Sequence, residues 1–127
     1  MSADISISEA ESHVMTLLWQ HAPQSSEEIV AALLATSDWQ EKTIRTLIGR
    51  LLAKGAIAAS KDGRRYLYTP RITRDAWQSQ ESRNLLDRVF GGKLSPLLAH
   101  FSEHEKLSAK DVAELRKLLA RIDAKGR

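Results

Sequence analysis

The stretch QEKTIRTLIGRLLAKG, residues 40–55, restricts what this chain can fold into more than any other. Ile44, Leu47, Ile48, Leu51 and Leu52 recur at i, i+3, i+4, i+7 and i+8, the spacing that gathers apolar side chains on one face of an α-helix. Gly55 follows just past that stripe, where a glycine in the left-handed region stops a helix. The opposite face carries Lys42, Thr46, Gly49 and Ala53, flanked by Thr43 and Arg50. A face kept only for solubility would carry long charged pairs. Hydroxyls, cations and small residues instead suit close approach to a groove lined with phosphates. The expectation is a DNA-recognition helix.

Composition sets the frame around it. At 127 residues the chain is one domain, or a small domain with an oligomerisation extension. Its 43% hydrophobic and 28% charged residues can bury an ordinary core. No apolar run is long enough to cross a bilayer, and no charged segment leads an apolar one at the N-terminus, so a cytoplasmic protein without a membrane partner is expected. The absence of cysteine excludes disulfides, thiolate nucleophiles and cysteine metal sites. The net charge of +3 hides an asymmetry: residues 1–41 hold seven acids and no Lys or Arg, whereas residues 42–71 hold eight bases and one acid, Asp62. A charge run alone reads most simply as a solvated face. Coinciding with a candidate recognition helix, it reads as a footprint for a polyanion.

Around that helix the chain falls into order. Ser8 and Glu11 form a capping box, and Ala10, Val14, Leu17, Leu18 and His21 predict a first helix over residues 9–21, ended by Pro23. Ser25 and Glu28 repeat the box before Ile29, Val30, Leu33 and Leu34, a second helix. After the third helix, residues 57–61 and 65–68 read as two strands with Asp62-Gly63 as the turn. Three helices and a hairpin are the order of a winged helix-turn-helix, which assigns residues 1–71 to DNA binding. The fold class expected is mainly α with a small β-hairpin wing, followed by a helical dimerisation domain over residues 72–127.

That second part predicts a helix from Thr73 to about residue 90, broken by Gly91-Gly92, a helix with Ser95 as N-cap and Pro96 at N1, and a last helix opened by Ser108 and Asp111. Leu85, Val89 and Phe90, then Leu97, Leu98 and Phe101, then Val112, Leu115, Leu119 and Ile122 form apolar stripes with little core of their own. A second copy is the simplest partner, because dimers dock two recognition helices on two half-sites. Packing back on the N-terminal part is the alternative.

Among single residues, Lys42, Thr43 and Thr46 are the candidates for base edges, and Arg50 and Lys54 for phosphates. Arg45 closes the helix surface. Gly49 costs about 1 kcal/mol against alanine in a helix interior, which either close packing on another element or approach to DNA would explain. Trp39 packs beneath the helix with its indole N–H available to a phosphate. Arg64, Arg65 and Tyr66 are phosphate candidates in the wing, and Tyr68 is structural. His100-Phe101-Ser102-Glu103-His104 matches the H-x-x-E-H zinc-peptidase pattern. A hydrolase needs a third ligand and a cleft for which the chain leaves little room, so the residual expectation there is a weak metal site on His100 and His104. No catalytic residue and no cofactor are expected, and no nucleotide-binding or serine-hydrolase motif occurs. A winged-helix module that binds protein rather than DNA is the competing function, and the basic block argues against it.

The pattern resembles the penicillinase-repressor family, the BlaI/MecI/CopY group. The likeness rests on ISEAESHVM and LLW in the first helix, DWQEKTIRTLIGRLLAKG, GRRYLYTP, ESRNLLDRVFGG, and the LLAHF, EKLS and ELRKLL segments, roughly residues 7–119. The resemblance implies a homodimeric repressor on an inverted-repeat (palindromic) operator in double-stranded DNA. It also implies control of a resistance or stress operon, relieved by loss of dimerisation or of DNA binding. In the β-lactam branch a sensor-linked protease cuts near an Asn-Phe bond; the bond aligned here is His100–Phe101, which departs from that pattern. The copper branch senses metal through C-terminal cysteines, which this chain lacks.

Overall fold

The computed structural model describes residues 5–126. In chain order it contains α1 (Glu9–Gln20), β1 (Gln24–Ser25), α2 (Ser26–Thr36), α3 (Glu41–Lys54), β2 (Ile57–Asp62), β3 (Arg65–Pro70), α4 (Arg74–Val89), α5 (Leu94–His104) and α6 (Ala109–Lys125). Helices with a small antiparallel sheet match the expected fold class.

Local chemistry starts three of the helices. Ser8 and Glu11 close a capping box on α1, Ser25 and Glu28 on α2, and Ser108 and Asp111 on α6, each pairing a hydroxyl with the N3 amide and the N3 carboxylate with the cap amide. Gly55, at φ 79°, ends α3. Its N–H reaches the Leu52 carbonyl and the Ala56 N–H the Leu51 carbonyl, the paired bonds of a Schellman stop. At the end of α1 the Gln24 amide donates to the carbonyl of His21 (2.6 Å), which lies past the helix, and to that of Leu17 (3.0 Å), which also accepts the His21 N–H.

The sheet differs from expectation in two ways. Its order is β1-β3-β2, because the two residues of β1 pair antiparallel with β3, Ser25 opposite Leu67 and Gln24 opposite Tyr68. In the hairpin Asp62 pairs with Arg65, so the turn residues are Gly63 and Arg64 rather than Asp62 and Gly63. Gly63 takes φ 65°, the positive value that a two-residue turn with glycine first requires. Arg64 therefore stands at the tip of the wing.

Ile7, Val14, Met15, Leu18, Ile29, Val30, Leu33, Ile44, Leu47, Ile48, Leu51, Ala56 and Ile57 form the buried core, drawn from α1, α2, α3 and β2. The chain separates into two compact units after Gln80, inside α4 rather than at residue 71. Two side chains explain why the start of α4 stays with the first unit. Trp77 lies 5.3 Å from Trp19, whose indole donates to the Ile72 carbonyl, and Gln80 donates to the Ile5 carbonyl at 2.7 Å.

The second unit has no buried residue in α4, α5 or α6. α5 starts two residues before the expected proline position: Lys93 is its N-cap, and neither Ser95 nor any other side chain caps it. Proline lacks an N–H that the first helical turn does not use, so Pro96 fits at the third position as well as at the first.

Candidate nucleic-acid interface

Helix α3 is fixed by its own sequence pattern. Ile44, Leu47, Ile48 and Leu51 are buried, so Lys42, Thr43, Thr46, Gly49 and Arg50 are all exposed. Polar bonds secure its first turn to α2: Arg45 pairs with Glu41 at 2.8 Å through Nε and donates to Ser26 Oγ at 3.1 Å. The Glu41 hydrogen bond raises the pKa of the Arg45 guanidinium, which stays a cation closing the helix surface.

The outward face has definite hydrogen-bonding character. The Thr46 hydroxyl donates to the Lys42 carbonyl at 2.9 Å. Its proton is engaged, which leaves lone pairs for a base amine and a methyl for thymine. Around Gly49 nothing lies within 4 Å of the position a Cβ would take, so no packing within the protein accounts for the glycine. Trp39 is half-buried against the core, and its ring and that of His13 are T-shaped to each other, with centres 5.2 Å apart. The sequence carries no signal for that His13 contact, because it joins α1 to the loop before α3.

In the wing, Lys61, Arg64, Arg65 and Tyr66 are exposed, and Lys61 stands across the ladder from Tyr66. Arg65 meets Asp62 at 3.4 Å, an exposed pair, whereas Tyr68 is half-buried and packs on the core. The wing residues and the outward face of α3 thus lie in one unit, held by one core.

Lys54 has a different place from the one expected. Its ammonium bonds to the Glu11 carboxylate and donates to the Ser6 carbonyl at 2.7 Å, which ties the end of α3 to α1 and to the segment before it. Glu11 has 2% of its side chain exposed. Burial acts to raise its pKa, but the hydrogen bonds from Lys54 and the Ser8 amide outweigh it and hold the carboxyl below its ordinary 4.5.

In the second unit the expected dimerisation residues are unevenly covered. Leu85, Val89, Phe101, Leu119 and Ile122 are exposed, as are Leu94 and Leu118, whereas Phe90, Leu97, Leu98, Val112 and Leu115 are half-buried. Leu98, Leu107, Leu115 and Leu118 line an apolar groove edged by Asp111 and Glu114. His100 and His104 stand on one turn of α5 with ring centres 4.4 Å apart, and His104 lies 4.0 Å from Glu103. Among the described residues no group of three or more His, Cys, Asp or Glu side chains is placed to hold a metal ion. Among the described residues, too, no helix is long and apolar enough to cross a membrane.

A family model described as penicillinase repressor matches residues 7–121. The penicillinase repressor of Bacillus licheniformis is 36% identical over 113 residues, covering 89% of this chain and 88% of that protein. The methicillin resistance regulatory protein MecI of Staphylococcus aureus is 35% identical over 113 residues, covering 89% and 92%. Among solved structures, the DNA-binding domain of the repressor BlaI superposes with a TM-score of 0.54 at 39% identity, covering 60% of this chain and 93% of that domain. The monomeric form of Bacillus licheniformis BlaI in complex with the blaP half-operator gives 0.52 at 40% identity, covering 57% and 90%.

Proposed function

The chain belongs to the penicillinase repressor family, and on that premise we propose that it is a sequence-specific DNA-binding repressor acting as a homodimer on an inverted-repeat operator. The observation that carries the reading is the outward face of α3. Lys42, Thr43, Thr46, Gly49 and Arg50 are presented together by a helix whose other face is locked in the core. Lys42, Thr43 and Thr46 reach base edges, and Arg50 holds the phosphate backbone. Trp39 supports the helix from below, and Arg64, Arg65 and Tyr66 bring the wing to the flanking phosphates. Support comes from the relative solved with a half-operator, which matches 57% of this chain at 40% identity.

The exposed apolar residues of α4, α5 and α6 are the dimerisation surface on this reading, since two linked readers match two half-sites. Their burial against a second copy would place both recognition helices on one operator, and loss of that contact would release the DNA. The operon is of the resistance or stress type, with a sensor-linked protease as a candidate regulator. The His100–Phe101 bond lies inside α5, so cutting it requires that turn to unwind first.

The test is selection of bound duplexes from a random DNA pool, followed by affinity measurements over a range of salt. Binding should weaken linearly on logarithmic axes as counterions are released. Arg50→Ala should weaken all duplexes and reduce that slope by about 1, whereas Lys42→Ala or Thr46→Ala should relax base preference at a cost of about 1–3 kcal/mol. A triple variant that binds like the wild type would remove α3 from the interface.

A further inference from the structure

We infer that Glu11 and Lys54 are positioning residues for the recognition helix, a clamp between a buried carboxylate and a surface ammonium that sets the angle at which the outward face of α3 meets DNA. The inference rests on the reading of α3 given above. Glu11 is 1% exposed, and a carboxylate taken that far from water needs partners. It has them: Oε1 accepts from the Ser8 N–H at 2.9 Å and from the Lys54 ammonium, which also donates to the Ser6 carbonyl. The segment that supplies Ser6 is itself anchored, by Ile7 in the core and by the bond from Gln80 of α4 to the Ile5 carbonyl. The polar cluster therefore joins the start of α1 to the end of α3, and the segment that supplies Ser6 is held separately by the first half of α4.

The apolar stripe of α3 decides which face of the helix is buried, and directional polar ties at its two ends set the finer tilt, because hydrophobic contact by itself has no direction. A charge-assisted hydrogen bond does have direction. Arg45 supplies such a tie to Ser26 near the start of α3, and Lys54 supplies the other at its end. Lys42 and Lys54 are separated by about 18 Å of helix, from the rise per residue, so a small tilt at the clamp displaces the reading residues at the far end. A base contact is sensitive to such a displacement, whereas attraction to the phosphate backbone is much less so.

The experiment uses the full chain, a duplex recovered by selection, and a random-sequence duplex of equal length. Glu11→Gln, Lys54→Met and the double variant are compared with Lys54→Arg, each measured below its own melting temperature. Glu11→Gln and Lys54→Met should each weaken the selected duplex by about tenfold, the lower range for one mismatched base pair, and the random duplex by about twofold or less. The double variant should lose no more than either single one, the salt slope should stay at the wild-type value, and Lys54→Arg should recover most of the affinity. Glu11→Gln is the sharpest arm, because removing an acid from a DNA reader would by charge alone tighten binding. Equal or tighter binding by Glu11→Gln overturns the inference. So does a Lys54→Met loss that is equal on both duplexes and lowers the salt slope by about 1, the signature of a phosphate contact. A wild-type chain that selects no duplex overturns the DNA-binding reading itself, and the clamp with it.

Discussion

Substituting Gly49 by alanine should make the protein more stable and its operator complex weaker. Glycine inside a helix is less favourable than alanine by about 0.8–1.0 kcal/mol, because its backbone loses more freedom on folding. The new methyl meets nothing beyond its own turn of helix backbone: no other atom lies within 4 Å of the position it would occupy. No packing penalty offsets the propensity gain, so Gly49→Ala should stabilise the fold by about 1 kcal/mol and raise the melting temperature by roughly 4 °C. The residue nevertheless sits on the face shared by Lys42, Thr46 and Ala53, where bare backbone is useful only to a partner from outside. With a duplex against that face, the methyl occupies space the groove wall needs, and affinity falls while stability rises. Thermal unfolding followed by circular dichroism reads the first quantity, and fluorescence anisotropy on a selected duplex reads the second. An unchanged melting temperature would refute the open-space argument. Unchanged or tighter binding would refute close approach of DNA at Gly49.

Two further outcomes follow from the same reasoning. Leu119 is 58% exposed, so burying that part of it in both copies of the proposed dimer is worth about 2 kcal/mol; on that proposal Leu119→Asp should raise the dimer Kd by at least roughly 30-fold in sedimentation equilibrium, and an unaltered dimer would take α6 out of the interface. The depressed pKa of Glu11 means that the unfolded chain binds more protons there as pH falls below 4.5, so the contribution of this group is fully present near neutrality and is lost on acidification through its folded value; unfolding measured from pH 7 to pH 3 should show stability falling in that range, and less steeply for Glu11→Gln.

What was legible in the sequence was what is local. The capping boxes at Ser8, Ser25 and Ser108 join residues three apart, and the stripe of α3 closes within one helix, so neither depends on the rest of the fold. What was hidden depends on partners far along the chain. The pairing of Gln24 with Tyr68 creates a third strand that no two-residue segment announces. The turn moved to Gly63-Arg64 because cross-strand pairing, here Asp62 with Arg65, decides which residues are left unpaired. Trp77 and Gln80 belong to the first unit through Trp19 and Ile5, although the sequence pattern reads their helix as the start of the helical dimerisation part.

The same distinction corrects the use of net charge as a measure of DNA affinity. Eight bases in residues 42–71 look like eight cations for phosphates, yet three of them face carboxylates within the protein: Arg45 faces Glu41, Lys54 faces Glu11 and Arg65 faces Asp62. These pairs differ in how readily they yield. Arg65 and Asp62 are both more than half exposed at 3.4 Å, a surface pair worth about 0–1 kcal/mol, so a phosphate can replace the carboxylate. Lys54 cannot be withdrawn on those terms, because Glu11 would be left buried and charged without its partner. Counterion release is proportional to the cations that actually meet phosphate. On the proposed clamp, Lys54 adds to the net charge of the block and nothing to its salt dependence, so its effect on DNA would pass through the angle of the helix it ends.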